Sequence, residues 1–118
     1  MSVHCSLTDE TRGLIGHDEL AMMKDTAIIV NTARGGIIDE TALAAALDSG
    51  EIMAAGLDVL EEEPPPADYP LRTNPHCVIT PHTAWYSEQA SCEVYIGAFE
   101  QVGRILRGLD LCGSVASA

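Results

Sequence analysis

Ala27-Ile28-Ile29-Val30-Asn31-Thr32-Ala33 runs straight into Arg34-Gly35-Gly36, and this junction decides how the chain folds. A continuous, largely β-branched run of this length suits a strand buried on both faces of a sheet. The paired glycines that follow let the backbone turn sharply and approach a ligand closely. Asp39 then offers a side-chain oxygen to the first amides of a helix running through Asp48, with Leu43, Ala46 and Leu47 on one face and Gly50 as the stop. Strand, tight turn and helix in that order make one crossover unit of a parallel sheet.

The pattern extends in both directions. Upstream, residues 2–7 alternate weakly and are compatible with a strand that contains His4. Asp18-Glu19-Leu20-Ala21-Met22-Met23-Lys24 predicts a short helix with acid first and base last, matching the helix dipole. Downstream, residues 53–59 form a third apolar stretch. Glu61-Glu62-Glu63-Pro64-Pro65-Pro66 cannot continue as regular structure, because its prolines lack amide donors. Cys77-Val78-Ile79-Thr80 gives a fourth strand ending at Pro81-His82. Residues 87–108 carry a helical pattern in which Ala90, Val94, Ala98 and Val102 form one row and Tyr95, Ile96 and Phe99 widen it. Such breadth predicts burial on more than one side. The last ten residues are small and irregular and are expected to fray. The order β-α-β-α-β-loop-β-α predicts an α/β fold, a doubly wound parallel sheet of about four strands closed by a long helix.

Composition agrees and narrows the partners. Hydrophobic residues make up 47% and charged residues 20% of the 118, a balance suited to a packed α/β core. A net charge of −12 argues against direct nucleic-acid or anionic-membrane binding, since such a surface repels phosphate. An anionic ligand needs a local cationic pocket, and only six Lys and Arg residues are available to build one. Cys5, Cys77, Cys92 and Cys112 show no C-x-x-C spacing and read as reduced, mostly buried thiols of a cytoplasmic protein. No Cys/His spacing resembles a metal site, and no apolar run is long enough to span a bilayer.

The polar residues gather at one place on this scaffold. Ser6 and Thr8 follow the first strand, Thr32 and Arg34 the second, Asp58 the third and His82 the fourth. Open parallel sheets bind ligands along that carboxyl edge. Arg34 could grip a carboxylate with two parallel hydrogen bonds, or pair with an acid in a helix-start turn. His82 is the best acid/base candidate by position, because histidine titrates near neutrality; His4, His17 and His76 occupy places better suited to structural roles. Among Glu61, Glu62 and Glu63, residue chemistry alone does not choose, though prolines beside Glu63 could aim it at a histidine. Asp58 closes a buried strand, where a carboxylate requires a fixed donor, and a ligand amide is one option.

His4-Cys5-Ser6-Leu7-Thr8, the run from Ile29 to Glu40, Gly56-Leu57-Asp58-Val59 with Glu63-Pro64, and Thr80-Pro81-His82-Thr83-Ala84-Trp85-Tyr86-Ser87 together resemble the D-isomer-specific 2-hydroxyacid dehydrogenases, in that family's order and spacing over residues 2–108. Trp85 to Ser91 most resembles the C-terminal binding protein branch and counts against the phosphoglycerate dehydrogenases. The resemblance implies a partial Rossmann-like domain: residues 1–86 as the C-terminal half of an NAD-binding domain, and residues 87–118 as a helix and tail of the same unit. It implies NAD as cofactor and a 2-hydroxy or 2-keto acid as substrate. Arg34 would hold the substrate carboxylate, and His82 would protonate the keto oxygen. Glu63 would pair with His82, stabilising its imidazolium. Thr32 and Ala33 would line the nicotinamide site, and Asp58 would accept from the nicotinamide amide. Cys5, Ser6, Leu7, Thr8 and Thr11 would pass beneath the cofactor, with His82, Thr83, Ala84 and Trp85 flanking its ring.

Two departures accompany these matches. The 118 residues contain no G-x-G-x-x-G, the loop that cradles a dinucleotide pyrophosphate, and no segment matching the family's substrate domain. The expectation is therefore a fragment, weak alone in NAD affinity and catalysis, and prone to dimerise or self-associate through uncovered edges. The alternatives are an NAD-linked corepressor scaffold like the C-terminal binding proteins, or an inactive truncated remnant.

Overall fold

The computed structural model describes residues 1–112. Of the tail expected to fray, residues 113–118 lie outside the described residues. The chain divides into two compact units, Met1–Ala84 and Trp85–Ala118.

The first unit is built on four parallel strands in the order β1-β2-β3-β4: β1 (Ser2–Val3), β2 (Ile28–Asn31), β3 (Ala54–Leu57) and β4 (Cys77–Ile79). The register runs Ser2 against Val30, Ile28 against Ala54, and Ala55 against Cys77. Consecutive strands are neighbours, so all four end on one edge. Helices α1 (His17–Ala21), α2 (Glu40–Ser49) and α3 (Pro70–Thr73) fill the crossovers. The α/β parallel-sheet reading holds.

Helix α2 starts and stops where its sequence demands. Asp39 Oδ1 accepts from the Thr41 and Ala42 amides, each at 2.9 Å, and Gly50 ends the helix in the left-handed region at φ +73°. Its Leu43, Ala46 and Leu47 enter a core with Ile29, Ala55, Leu57 and Leu20. Fully burying one such Leu or Ile is worth about 1.5–3 kcal/mol.

Several sequence expectations are corrected. Strand β2 is buried on one face: Ile29 and Asn31 are enclosed, while Ile28 is exposed and Val30 half-buried. An apolar β-branched run permits two-sided burial, but the described helices pack on alternate residues only. Strand β1 stops at Val3 and leaves His4 outside it. Beyond it, Thr11 Oγ1 donates to the Ser6 carbonyl and accepts from the Thr8 amide, both at 2.7 Å, which curls the segment into a turn. Helix α1 ends at Ala21, so Lys24 lies beyond its last turn and only the acidic start complements the dipole. Helix α3 was not expected; Pro70, with its fixed φ, opens this single turn. The cysteines are not mostly buried: Cys5 and Cys77 are half-buried, Cys92 and Cys112 exposed, and all four are free.

In the second unit, α4 (Glu88–Leu106) is capped by Ser87, whose Oγ accepts from the Ala90 amide at 3.0 Å. Trp85 and Tyr86 stack edge to face, with ring centroids 5.6 Å apart. The helix buries none of its residues, contrary to the burial predicted from its broad apolar face, and Val94, Tyr95, Ile96, Phe99 and Val102 are exposed. A sequence pattern shows which face a helix can bury, not what covers it.

Candidate active site

The carboxyl edge of the first unit is assembled from three loops. The first follows β2. Asn31 is buried, and its side chain does for this loop what a cap does for a helix. Its Oδ1 accepts from the Ala33 amide at 3.0 Å, and its Nδ2 donates to the Arg34 carbonyl at 2.9 Å. Arg34 is thereby presented outward. Its guanidinium donates to the Ala33 carbonyl at 2.7 Å and makes no ion pair among the described residues, so the helix-start pairing with an acid is not what forms. Thr32 beside it is exposed.

The second loop follows β3. Asp58 is only 5% exposed, and this carboxylate finds its donors within the chain. Oδ1 accepts from the Thr80 hydroxyl and from the Thr83 amide at 2.9 Å, and Oδ2 accepts from the Ala84 amide at 2.8 Å. Burial pushes its pKa up, but the Thr80, Ala84 and Thr83 donors, with the charge of His82, outweigh burial and hold it below the ordinary value. Asp58 thus ties down the third loop, a use that the expected nicotinamide contact did not anticipate.

That third loop, after β4, carries His82 at φ +52°, a left-handed backbone unusual outside glycine. The His82 amide donates to the Thr80 carbonyl at 2.9 Å. Its Nδ1 lies 2.8 Å from Glu63 Oε2, while Glu63 Oε1 accepts from the Leu60 amide at 2.8 Å. These bonds, the one to His82 first, lower the Glu63 pKa against the opposing effect of burial. Of three consecutive glutamates, the structure selects Glu63 for the histidine. Glu61 instead pairs with Arg12 at 3.0 Å on the surface.

A cavity of about 530 Å³ opens beside this pair, lined by Asp58, Leu60, Glu63, Ile79, Pro81 and His82 among others. Near β1, Ser6 and Thr8 are exposed, whereas Cys5 and Leu7 pack partly against the core and have chiefly backbone to offer a ligand. Thr11 is occupied with its own turn. Thr83 and Ala84 contribute amides to Asp58, and Trp85 falls in the second unit. Sequence reasoning missed Asn31 and Thr80. A polar residue closing an apolar run, one turn ahead of the Gly35-Gly36 pair, was the available signal for Asn31; nothing local marked Thr80.

The family profile described as D-isomer specific 2-hydroxyacid dehydrogenase, NAD binding domain, matches residues 1–84. The chain belongs to this dehydrogenase family. It is 48% identical over 108 residues to D-3-phosphoglycerate dehydrogenase of Methanocaldococcus jannaschii, covering 92% of this chain and 20% of that protein. It is 45% identical to glyoxylate reductase of Aeropyrum pernix, covering 92% of this chain and 32% of the relative. Among solved structures, D-lactate dehydrogenase with NAD+ from Lactobacillus jensenii superposes with a TM-score of 0.89 at 32% identity, over 98% of this chain and 39% of that one. The chain thus spans a fifth to a third of the length of these curated relatives. The leaning toward the C-terminal binding proteins is not specifically supported. A phosphoglycerate dehydrogenase, from the subgroup disfavoured by the residues after His82, stands among the matches.

The dehydrogenase family implies a nicotinamide cofactor, and the donor set fits its reactive end. Exposed hydroxyls, one outward guanidinium and one imidazole backed by a carboxylate share the strand edge where such ligands lie. The fit stops there, because the 118 residues hold no pyrophosphate-cradling glycine loop.

Proposed function

We propose that this chain supplies the hydride-transfer side of an NAD-dependent reductase of 2-keto acids. The observation that carries the reading is the 2.8 Å contact between His82 Nδ1 and Glu63 Oε2, placed at the strand edge that also presents Arg34. Bound nicotinamide supplies the hydride. With Nδ1–H directed to Glu63, His82 exchanges its proton with substrate through Nε2. Glu63 remains a carboxylate and balances the imidazolium before the proton leaves. Arg34 grips the substrate carboxylate through its planar fork. Thr32, Ala33 and the Cys5 to Thr11 turn border the nicotinamide, as do the residues from His82 to Ala84. Asp58 holds the His82 turn, and a further lone pair of its carboxylate can accept from the carboxamide.

Steady-state oxidation of NADH with 2-keto acids, by the polypeptide that contains these residues, tests the proposal. Turnover that depends on His82 and Arg34 supports it, and turnover unchanged in His82→Asn overturns it. Self-association and a cytoplasmic setting belong to the same reading. The first is supported by the exposed apolar row on α4, and the second by four free thiols, which suit a reducing compartment. Sedimentation velocity over a range of concentrations tests the former.

A further inference from the structure

Glu40 has no part in the set assembled above, yet both of its carboxylate oxygens reach the loop that carries Glu63. Its Oε1 accepts from the Glu61 amide at 2.7 Å, and its Oε2 accepts from the Tyr69 hydroxyl at 2.5 Å. Glu40 is the first residue of α2, whose entry is fixed by the Asp39 cap. Tyr69 is half-buried. Burial first, and then the bond and charge of Glu40, push its phenol far above the ordinary value, so it remains a donor throughout the neutral range. The exposed Arg12 pair with Glu61 adds little, as surface ion pairs do.

The peptide joining Leu60 to Glu61 also bears the Arg34 loop. A Cβ on Gly35 would fall 2.0 Å from the Leu60 carbonyl carbon and oxygen and 2.4 Å from the Glu61 nitrogen. Only a bare Cα permits that approach. One residue earlier, the Leu60 amide orients Glu63. The same few backbone atoms therefore meet the loop of the guanidinium and orient the partner of the imidazole.

We infer that Glu40, assisted by Tyr69, is a positioning residue. It clamps the peptide on which the Arg34 and Glu63 loops meet, and so sets the spacing between the group that grips a carboxylate and the group that delivers a proton. This rests on the reading of Arg34 and His82 given above.

The test uses the full chain and begins without cofactor. Glu40→Ala removes both acceptors, and the His82 Nδ1 proton, observed by nitrogen-15 NMR, exchanges with solvent about tenfold faster, the scale of one net hydrogen bond. In the polypeptide that turns over 2-keto acid, kcat falls by about the same factor and the KM for keto acid rises, while the KM for NADH moves by less than about twofold. Glu40→Gln keeps an acceptor for the Glu61 amide and restores most of the effect. Tyr69→Phe gives a smaller change of the same sign and replaces Glu40→Ala if that variant does not fold. Asp48→Ala removes the Asn74 bond at the other end of α2 and leaves the His82 signal unchanged. Unaltered exchange in folded Glu40→Ala, or equal disturbance in Asp48→Ala, overturns the inference. Faster exchange in a polypeptide that reduces no 2-keto acid upholds the clamp and removes the catalytic reading instead.

Discussion

The loop after β2 and the loop after β4 end at the same edge of the same sheet, yet they treat their functional side chains in opposite ways. The Arg34 loop fixes its backbone through Asn31 and leaves the guanidinium with one short bond to its own chain. The His82 turn fixes the side chain itself, through Glu63, and fixes the backbone around it through Asp58. On the proposed reading, the group assigned to catch a mobile anion is left reachable, whereas the group assigned to deliver a proton at one point is set beforehand.

The contrast can be broken most forcefully at His82. His82→Asn keeps a residue that tolerates left-handed backbone, so it removes the imidazole with little cost to the fold. A general acid contributes about 10²–10⁴-fold, and kcat for keto-acid reduction should fall in that range, with a far smaller change in NADH binding. Arg34→Lys retains the charge and loses the fork. Its kcat/KM should drop about tenfold to a hundredfold, with most of the loss in the KM for the keto acid. Similar losses in the same kinetic parameter from both variants would erase the distinction between the loops.

Asp58→Ala probes the anchoring itself. It strands the Thr80 hydroxyl and two amides, and about 1–3 kcal/mol of unfolding free energy should disappear in a denaturant titration. The pH dependence sharpens the point. Asp58 and Glu63 both have folded-state pKa values below their ordinary ones. Each therefore contributes stability that is fully present above the ordinary carboxylate range and is lost as pH falls through the folded value. Thermal melting should show wild type and Glu63→Gln converging in acid and separating toward neutrality. The smallest effect lies outside the loops: Ser87→Ala should cost α4 about 1 kcal/mol, visible in helicity, while the His82 resonance stays in place.

The parts legible in the sequence were those written locally. Asp39 and Gly50 bound α2 because a side-chain oxygen and a bare Cα act on their own neighbours. The placement of Arg34, Asp58 and His82 followed from finding where the apolar runs stop. What the sequence concealed depends on partners far along the chain. The donors to Asp58 come from residues 22 to 26 positions away, and the Glu40 contacts span 21 and 29. Selecting Glu63 over Glu61 needed the Leu60 amide and the His82 ring in space together. The one-sided burial of β2 and the bare face of α4 were hidden for a related reason, because apolarity records a capacity for burial and not its fulfilment.

The left-handed backbone at His82 carries a consequence for descent. An L-residue with a full side chain is disfavoured there by roughly 1–2 kcal/mol, so the imidazole is retained against the preference of its own backbone. A lineage released from the chemistry would be free to drift to glycine or asparagine at this position, relieving the backbone while giving up the bond to Glu63. On the proposed reading, the identity of residue 82 is thus a compact record of whether a descendant of this chain keeps the group assigned to proton transfer.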